Sequence, residues 1–315
     1  MVTHFLPSWR RAILMVAVVA IAACGGTEPT GRTIDDTRGD TMSDTHEMGG
    51  TAPAEPIVIT YGDAPEQFGH LHLPRGLRDR TDGPVPVVVL VHGGFWRNPY
   101  DLTLMDPLAA DLVTRGFAVW NVEYRRLGDD GGGWPGTLVD VAAAVDTLAP
   151  IAAEHRIDLT RIAVVGHSAG GHLALWAAGR PGLPDDAPGA SPVVVPTVAI
   201  GLGAVVDLVG AADQQLGNGA VLELFGGTSD KVPDRYAAAR PRLDAGPRMV
   251  SVVGTDDTIV PPHYSIDPNL PGALEMVEVD GAGHMDLIDP EHPAWAAATG
   301  ALVDVAPPGA DDQPG

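Results

Sequence analysis

Apolar residues along the chain fall into short continuous runs that alternate with runs of helical spacing. The continuous runs predict buried strands, and the spaced runs predict amphipathic helices. Strands are predicted at residues 57–61, 71–73, 85–91, 117–122, 161–165, 193–200, 248–253 and 274–279, and helices at residues 102–115, 136–149, 172–178 and 294–303. The first two strands are expected to pair antiparallel. The alternation predicts an α/β fold with a mostly parallel, doubly wound sheet and helices on both faces.

One predicted helix and two connecting segments add detail to the predicted fold. The helix at residues 136–149 is expected to bury an apolar side made of Val139, Ala142, Ala143, Val145 and Leu148. The segments 181–196 and 207–244 connect predicted strands and are expected to form a partial lid.

The first 23 residues are predicted to be a signal peptide that is not part of the fold. Arg10 and Arg11 precede an apolar run at residues 12–23, which as a helix spans roughly 18 Å and is too short for a hydrocarbon core of ~30 Å. The run leads into Cys24, the only cysteine of the chain, in a sequence that resembles the lipobox of bacterial lipoproteins. This resemblance implies that Cys24 is acylated and becomes the mature N-terminus. The alternative is a chance cysteine in an uncleaved anchor.

Residues 24–56 and 306–315 show no apolar period and are rich in polar and small residues. They are predicted to be a lipidated, disordered tether and a disordered tail, which leaves residues 57–305 as the folded domain. A flexible tether of about thirty residues typically spans roughly 30 Å. We therefore expect the protein at the extracytoplasmic face of a bacterial cell membrane, in contact with the membrane through its lipid anchor only.

The chain carries a formal charge of −22, and Lys231 is its only lysine. This balance argues against a nucleic-acid partner, because phosphate binding needs clustered cations. Strong acidity also has a simpler explanation, the solubility of an exported protein. No cofactor is expected, and no metal site is expected because the histidines show no compact ligand spacing. The oligomeric state is left open.

One strand leads directly into a turn that is typical of a catalytic serine. The run at residues 161–165 continues as Gly166-His167-Ser168-Ala169-Gly170 and then takes on helical character. Small residues on both sides of a serine tolerate the cramped backbone of a nucleophile elbow, which projects the hydroxyl above the sheet edge. The alternative is an ordinary turn in which Ser168 caps the helix. His167 and His172 flank the elbow and are interpreted as packing or hydrogen-bonding residues.

A glycine pair follows the strand at residues 85–91, in the sequence His92-Gly93-Gly94-Phe95-Trp96. Glycines at the carboxyl end of a strand let backbone N–H groups turn inward and hold the negative oxygen of a tetrahedral acyl intermediate. The alternative is a plain Gly-Gly turn. The motif lies one β-α-β unit before the serine elbow, which favours the oxyanion interpretation.

Two later strands supply the remaining candidates. The strand at residues 248–253 runs into Asp256 and Asp257, and the strand at residues 274–279 runs into Gly283-His284. Side chains that follow parallel strands collect at the same carboxyl edge as Ser168. The order of serine, aspartate and histidine along the chain is the order of the triad in this kind of fold. Asp257 is the preferred acid because it lies four residues before Pro261, and Asp256 is the alternative.

Together these motifs resemble the α/β-hydrolase superfamily, and within it the carboxylesterase branch that includes hormone-sensitive-lipase-like and kynurenine-formamidase-like bacterial enzymes. The resemblance implies a catalytic triad and an oxyanion hole made of Ser168, Asp257 and His284, and of Gly93, Gly94, Phe95 and Ala169. One departure is the segment 261–272, which is too rich in proline for the helix that this family commonly carries there. Without that helix, the loop that carries Asp257 is expected to have less support than in the family.

The expected activity is that of a serine hydrolase that cleaves carboxylic esters with short-chain or aromatic acyl groups, including acetylated glycans. Trp96 and Trp134 are expected to line the substrate pocket beside Phe95. The alternatives are an N-formyl or amide hydrolase of the kynurenine-formamidase type, and a non-catalytic lipoprotein that keeps the fold to bind a ligand. The expected partner is a small-molecule ester.

Overall fold

The computed structural model describes residues 55–77 and 83–307. Eight strands form one sheet in the order β1-β2-β4-β3-β5-β6-β7-β8. They are β1 Ile57–Thr60, β2 Phe68–His72, β3 Val85–Val91, β4 Ala118–Val122, β5 Ile157–His167, β6 Val198–Leu202, β7 Arg248–Gly254 and β8 Glu275–Val279. Strands β3 to β8 pair in parallel, whereas β1 pairs with β2 and β2 with β4 in antiparallel register. The predicted mostly parallel sheet and its opening antiparallel pair are thus confirmed.

Eight α-helices connect and cover these strands in the described part of the chain. They are α1 Asp106–Thr114, α2 Gly136–Asp146, α3 Leu148–Ile151, α4 Ala169–Ala178, α5 Leu208–Asp213, α6 Leu216–Phe225, α7 Pro233–Ala239 and α8 Pro293–Gly300. Short 3-10 turns precede α1, at Leu102–Met105, and follow α8, at Val303–Val305.

The sheet separates two hydrophobic clusters, one on each face. The larger cluster joins the sheet to α2, α4 and α6, with Trp120, Leu173 and Phe225 among its buried side chains. The smaller cluster joins the opposite face to α1 and α8 through Leu108 and Trp295. Strands β3 and β4 are buried along their whole length, which is why their sequences are continuous apolar runs. The predicted helices on both faces are therefore present.

The helix predicted at residues 136–149 divides into α2 and α3. Ala142, Val145 and Leu148 of its predicted apolar side are buried, and Ala143 is partly buried. Val139 is 38% exposed. Asp140 is fully buried instead, because the Arg125 guanidinium donates two hydrogen bonds of 2.7 and 2.8 Å to its carboxylate. An ion pair of this kind lets a charged residue occupy a buried helix position that an amphipathic pattern assigns to an apolar residue.

The start of β6 differs from its sequence prediction, whereas the segment 261–272 agrees with its own. Strand β6 begins five residues later than the predicted start at residue 193, because the N–H groups of Val193 and Val194 bond the Asp146 carboxylate at 3.0 Å and hold this stretch outside the sheet. The proline-rich segment 261–272 forms only a four-residue 3-10 turn at Pro262–Ser265, in place of a full helix.

Several N- and C-terminal predictions lie outside the described residues. They concern the signal peptide at residues 1–23, Cys24, nearly all of the tether and most of the tail. Within the described part of the chain, no helix combines the length and the apolar character needed to cross a membrane.

Candidate active site

Ser168 lies on a strained turn between β5 and α4. Its φ of 57° and ψ of −121° place a non-glycine residue in the left-handed half of the backbone map, as a nucleophile elbow requires. The turn needs glycine on both sides of the serine: a Cβ on Gly166 would overlap the Gly170 carbonyl, and a Cβ on Gly170 would overlap the Val91 carbonyl. Ser168 does not use its side chain as a helix cap.

Asp257 and His284 form a buried pair at the carboxyl edge of β7 and β8. The distance from His284 Nδ1 to Asp257 Oδ2 is 2.6 Å. The second carboxylate oxygen, Oδ1, accepts hydrogen bonds from the backbone N–H groups of Ile259 at 2.9 Å and Val260 at 2.8 Å. Asp256 is exposed to solvent, so Asp257 is the aspartate that orients the imidazole.

Two contacts hold this pair beside the serine turn. The backbone N–H of Ser168 donates to the Leu202 carbonyl at 2.7 Å. The next residue, Gly203, lies directly behind the pair, since a Cβ there would be 3.1 Å from His284 Nδ1 and 3.2 Å from Asp257 Oδ2. With a φ of +54°, Gly203 provides both the turn and the space that the pair needs.

His167 connects the elbow to His284 from the other side. Its Nε2–H donates to the His284 carbonyl at 3.1 Å, and the two ring centroids are 4.4 Å apart. Burial, together with the neighbouring His284, lowers the pKa of His167 to about 3. The ring is therefore neutral across the physiological range and acts as a positioning group. The interpretation of His167 and His172 as hydrogen-bonding residues agrees with these contacts and with the 2.9 Å bond from His172 Nε2 to the Ala239 carbonyl.

The predicted oxyanion loop passes alongside Ser168. A Cβ on Gly93 would lie 3.0 Å from Ser168 Cβ and 2.8 Å from the His167 carbonyl oxygen. Gly94 has a φ of +109°, and the Tyr100 side chain packs against its Cα. The structure thus brings the glycine loop, the elbow and Ala169, the first residue of α4, to one edge of the sheet.

A buried network that the sequence analysis missed supports this loop. His92 Nε2 lies 2.9 Å from Glu123 Oε1, and the other oxygen of Glu123 accepts the Leu102 N–H at 3.0 Å. Arg126 is 3.0 Å from the same carboxylate. Glu123 directly follows β4. The argument that selected Asp257 and His284, that side chains after parallel strands collect at the carboxyl edge of the sheet, therefore also applies to Glu123.

The two tryptophans predicted to line the substrate pocket have different positions. Trp96 is fully buried, with its ring 5.5 Å from that of His172. It therefore packs in the core and not, as predicted, in the substrate pocket. Trp134 is partly exposed and lines a cavity of about 400 Å³ between the segment 184–188 and α7. None of the residues that line this cavity belongs to the predicted triad.

The segment 207–244, one of the two predicted lid segments, contacts the oxyanion loop through α6. Arg97 donates from Nη1 to the Gly217 carbonyl at 2.7 Å and pairs with Glu223 at 2.9 Å. Gly217 also lies against the Phe95 ring. The other predicted lid segment, 181–196, bonds to Arg180 through the Gly189 carbonyl and to Asp146 of α2 through the Val193 N–H, and it lines the cavity at Trp134.

The expectation that the histidines lack compact ligand spacing is wrong for one group. The structure places His70, His72 and Asp106 together, with one potential ligand atom of each within 4.8 Å of the others. The sequence signal was the spacing of two residues along a strand, which puts both imidazoles on one face.

Comparisons with known proteins agree with this architecture. The BD-FAE family model matches residues 76–269. The chain is 30% identical over 131 residues to a probable carboxylic ester hydrolase, LipM, of Mycobacterium tuberculosis, an alignment that covers 42% of this chain and 30% of the relative. The chain spans less than a third of the length of the curated relatives it matches.

Two solved structures share the fold at lower identity. A truncated carbohydrate esterase from gut microbiota superimposes with a TM-score of 0.65 at 18% identity, over 81% of this chain and 96% of its own. A thermophilic esterase from Thermogutta terrifontis superimposes with a TM-score of 0.61 at 20% identity, over 81% of this chain and 95% of its own. These superpositions show that this chain shares the fold of the two esterases.

Proposed function

Because the chain belongs to the BD-FAE family, we propose that it is a serine hydrolase that cleaves carboxylic esters through an acyl-enzyme. One observation carries the proposal: the buried Asp257–His284 pair lies at the same strand edge as the strained turn of Ser168. A ligand-binding protein has no need of a buried carboxylate–imidazole pair beside a strained serine. The curated relative named above, itself a probable carboxylic ester hydrolase, supports the same reaction class.

The reaction follows from the residue types. His284 takes the proton of the Ser168 hydroxyl as its oxygen attacks the ester carbonyl, and then gives that proton to the departing alcohol. The same imidazole then takes a proton from a water molecule, whose oxygen attacks the acyl carbonyl, and returns that proton to the Ser168 oxygen as the carboxylic acid is released. Asp257 fixes the imidazole tautomer and stabilises the imidazolium.

The negative oxygen of each tetrahedral intermediate needs backbone donors. The proposed donors are N–H groups among Gly93, Gly94 and Phe95 and the N–H of Ala169. Removal of one such donor from an oxyanion hole typically costs roughly 3 to 4 kcal/mol of transition-state stabilisation. The packing of Gly93 against Ser168 supports this assignment, because the donors must lie within about 3 Å of the reacting oxygen.

The test is hydrolysis of p-nitrophenyl acetate by the wild type and two serine variants. Ser168→Ala is expected to lower kcat by about 10⁴ or more, because it removes the nucleophile. Ser191→Ala is the matched control: Ser191 also has a positive φ, of 56°, but lies in an exposed loop. Equal activity of Ser168→Ala and the wild type would exclude the proposed mechanism.

The proposed substrates are esters with short-chain or aromatic acyl groups, including acetylated glycans. A structural neighbour is a carbohydrate esterase, which supports the inclusion of sugar esters. A panel graded by acyl length, with an acetylated xyloside, a feruloyl ester and an N-formyl aromatic amine, measures kcat/KM for each class. Higher kcat/KM for the formyl amine than for every ester would assign the protein to the formamidase type instead.

We also propose that the protein is anchored outside the cytoplasm by an acylated Cys24, as its lipobox-like sequence implies. Cells that express the full chain are expected to incorporate an alkyne-tagged palmitate into the wild type and not into Cys24→Ser. The mature wild type is expected to begin at Cys24, as peptide mapping of its N-terminus would show. A wild type that carries no label and keeps its uncleaved N-terminus would support the alternative, an uncleaved anchor.

A further inference from the structure

A group of three potential metal ligands lies where β2 meets the beginning of α1, apart from the triad. His70 and His72 are two residues apart on β2, so both side chains project from the same face of the sheet. Leu71 between them is buried in the larger cluster on the other face. Asp106 is the first residue of α1, which packs on β4 next to β2. One ligand atom of each side chain lies within 4.8 Å of the others.

The carboxylate in this group is held in place from the sheet. The buried side chain of Asn121 donates from Nδ2 to Asp106 Oδ1 at 3.1 Å and to the Leu102 carbonyl at 3.0 Å. Asn121 is the β4 residue directly opposite His70 in the antiparallel register. Such a hydrogen bond orients one carboxylate oxygen and leaves the other free to bind a cation, which is how outer groups support metal ligands in known sites.

One imidazole in the group has a nitrogen with no other role. Nε2 of His72 is buried and has no hydrogen-bond partner in the structure. A buried polar atom without a partner usually costs about 1 to 3 kcal/mol. Coordination of a cation by Nε2 would satisfy this atom. The His70 ring lies 6.2 Å from the His72 ring, so both imidazoles can reach one ion.

We propose that His70, His72 and Asp106 bind a divalent transition-metal ion of the Zn²⁺ class. Two imidazoles and one carboxylate form a nitrogen and oxygen donor set that suits Zn²⁺ and its neighbours, whereas Ca²⁺ and Mg²⁺ prefer oxygen ligands alone. Bonds of about 2.0 to 2.1 Å place tetrahedral ligand atoms roughly 3.3 Å apart. All three side chains are at least partly exposed, so they can move the required distance without disturbing the core. Water completes the coordination, and the ion links the antiparallel edge of the sheet to α1.

The test is isothermal titration of the chelator-treated full chain with Zn²⁺. The wild type is expected to bind one equivalent at this site, and His70→Gln, His72→Gln and Asp106→Asn are each expected to weaken that binding at least tenfold. His155→Gln is the matched control, since His155 is a partly exposed histidine in the turn that precedes β5. Binding that is equally tight in the wild type and in all three ligand variants would overturn the proposal.

Thermal melting gives a second readout that does not depend on catalysis. Zn²⁺ is expected to raise the Tm of the wild type and of His155→Gln, because an ion that binds only the folded state stabilises it. The rise is expected to disappear in His70→Gln and Asp106→Asn, whose far-UV spectra show whether they are folded. Ca²⁺ is expected to have no such effect. A rise of equal size in these ligand variants, or no rise in the wild type, contradicts the proposal.

Discussion

At the scale of single residues, the Asp257 carboxylate uses its two oxygens for two different purposes. One oxygen is fixed by the N–H groups of Ile259 and Val260, and the other faces His284 at 2.6 Å. The loop that follows is short and rich in proline, but these two backbone bonds brace the carboxylate directly. The proline-rich departure from the family pattern therefore does not leave the acid without support.

Replacement of Asp257 by asparagine is expected to lower kcat for p-nitrophenyl acetate by about 10⁴, because the amide favours the wrong imidazole tautomer and supplies no charge. The control is Asp256→Asn, which changes the same functional group one residue away on an exposed side chain. That variant is expected to keep wild-type kcat and KM. If instead Asp256→Asn is the inactive variant, the assignment of the acid is reversed.

Single residues also show how far sequence reasoning extends. Asp257 and His284 could be chosen because strand ends and chain order restrict the candidates. Trp96 could not be placed correctly, because a motif position says nothing about which side of the backbone the ring takes. Its positive φ of 55° turns the side chain into the core next to His172. Glu123 was missed although it follows β4, since no motif marked it.

At the scale of elements, α6 carries an unusual backbone beside the predicted oxyanion loop. Gly217, Asn218 and Gly219 have left-handed φ and ψ inside this helical segment. The Phe95 ring packs against the Cα of Gly217, whereas a Cβ on Gly219 would meet only a methyl carbon of Leu222, at 3.9 Å. The two glycines therefore share a backbone conformation but differ in their contact with the site.

Alanine variants of Gly217 and Gly219 therefore form a matched pair, which differs in the contact with Phe95. Gly217→Ala and Gly219→Ala both force alanine into a left-handed conformation, which is expected to cost about 1 kcal/mol of unfolding free energy in each, with a further steric cost in Gly217→Ala. Only Gly217→Ala pushes the Phe95 ring and is expected to lower kcat/KM for acetate esters about tenfold or more. Urea unfolding and steady-state kinetics measure the two effects. Equal kinetic losses in both variants would show that the Phe95 contact does not matter for catalysis.

The elements themselves were predictable to different degrees. Buried parallel strands appear as continuous apolar runs, so β3, β4 and β7 were found almost at their observed ends. Most of the apolar side of this helix was predicted correctly, but Val139 is exposed, and Asp140 is buried through its ion pair with Arg125, which only the tertiary structure brings together. The run at residue 193 resembles a strand but is held outside the sheet by Asp146.

At the scale of the whole molecule, the parallel order of β3 to β8 brings distant segments to one edge. Ser168 follows β5, Asp257 follows β7 and His284 follows β8, and all three strands run in the same direction. The direction of the strands could be inferred from the alternation of elements. Their spatial order could not, because it depends on long-range pairings that leave no mark in a single sequence.

The stability of the whole domain is expected to fall as the pH is lowered from about 6.5. Burial lowers the pKa of His172 to about 4 and that of His167 to about 3, both from an ordinary value of 6.5. At a pH between 6.5 and the lowered pKa of each histidine, the unfolded chain binds a proton on that residue that the folded chain does not bind. Each group therefore removes roughly 1.4 kcal/mol of unfolding free energy per pH unit within its range.

Urea unfolding at pH 7, 6, 5 and 4.5 tests this dependence. His172→Gln keeps a donor for the Ala239 carbonyl but cannot titrate, so its unfolding free energy is expected to fall less steeply with pH than that of the wild type. His155→Gln, at a partly exposed position, is expected to follow the wild type. Parallel curves for His172→Gln and the wild type would contradict the role of burial.

The central claim is that the hydroxyl of Ser168 is the reacting group of this molecule. The most direct measurement is covalent labelling of the wild type with an organophosphonate ester, followed by peptide mapping by mass spectrometry. One phosphonyl group is expected, on the peptide that contains Ser168, together with loss of esterase activity in proportion to labelling. Ester hydrolysis that continues in fully labelled protein, or a label on any other residue, would contradict it.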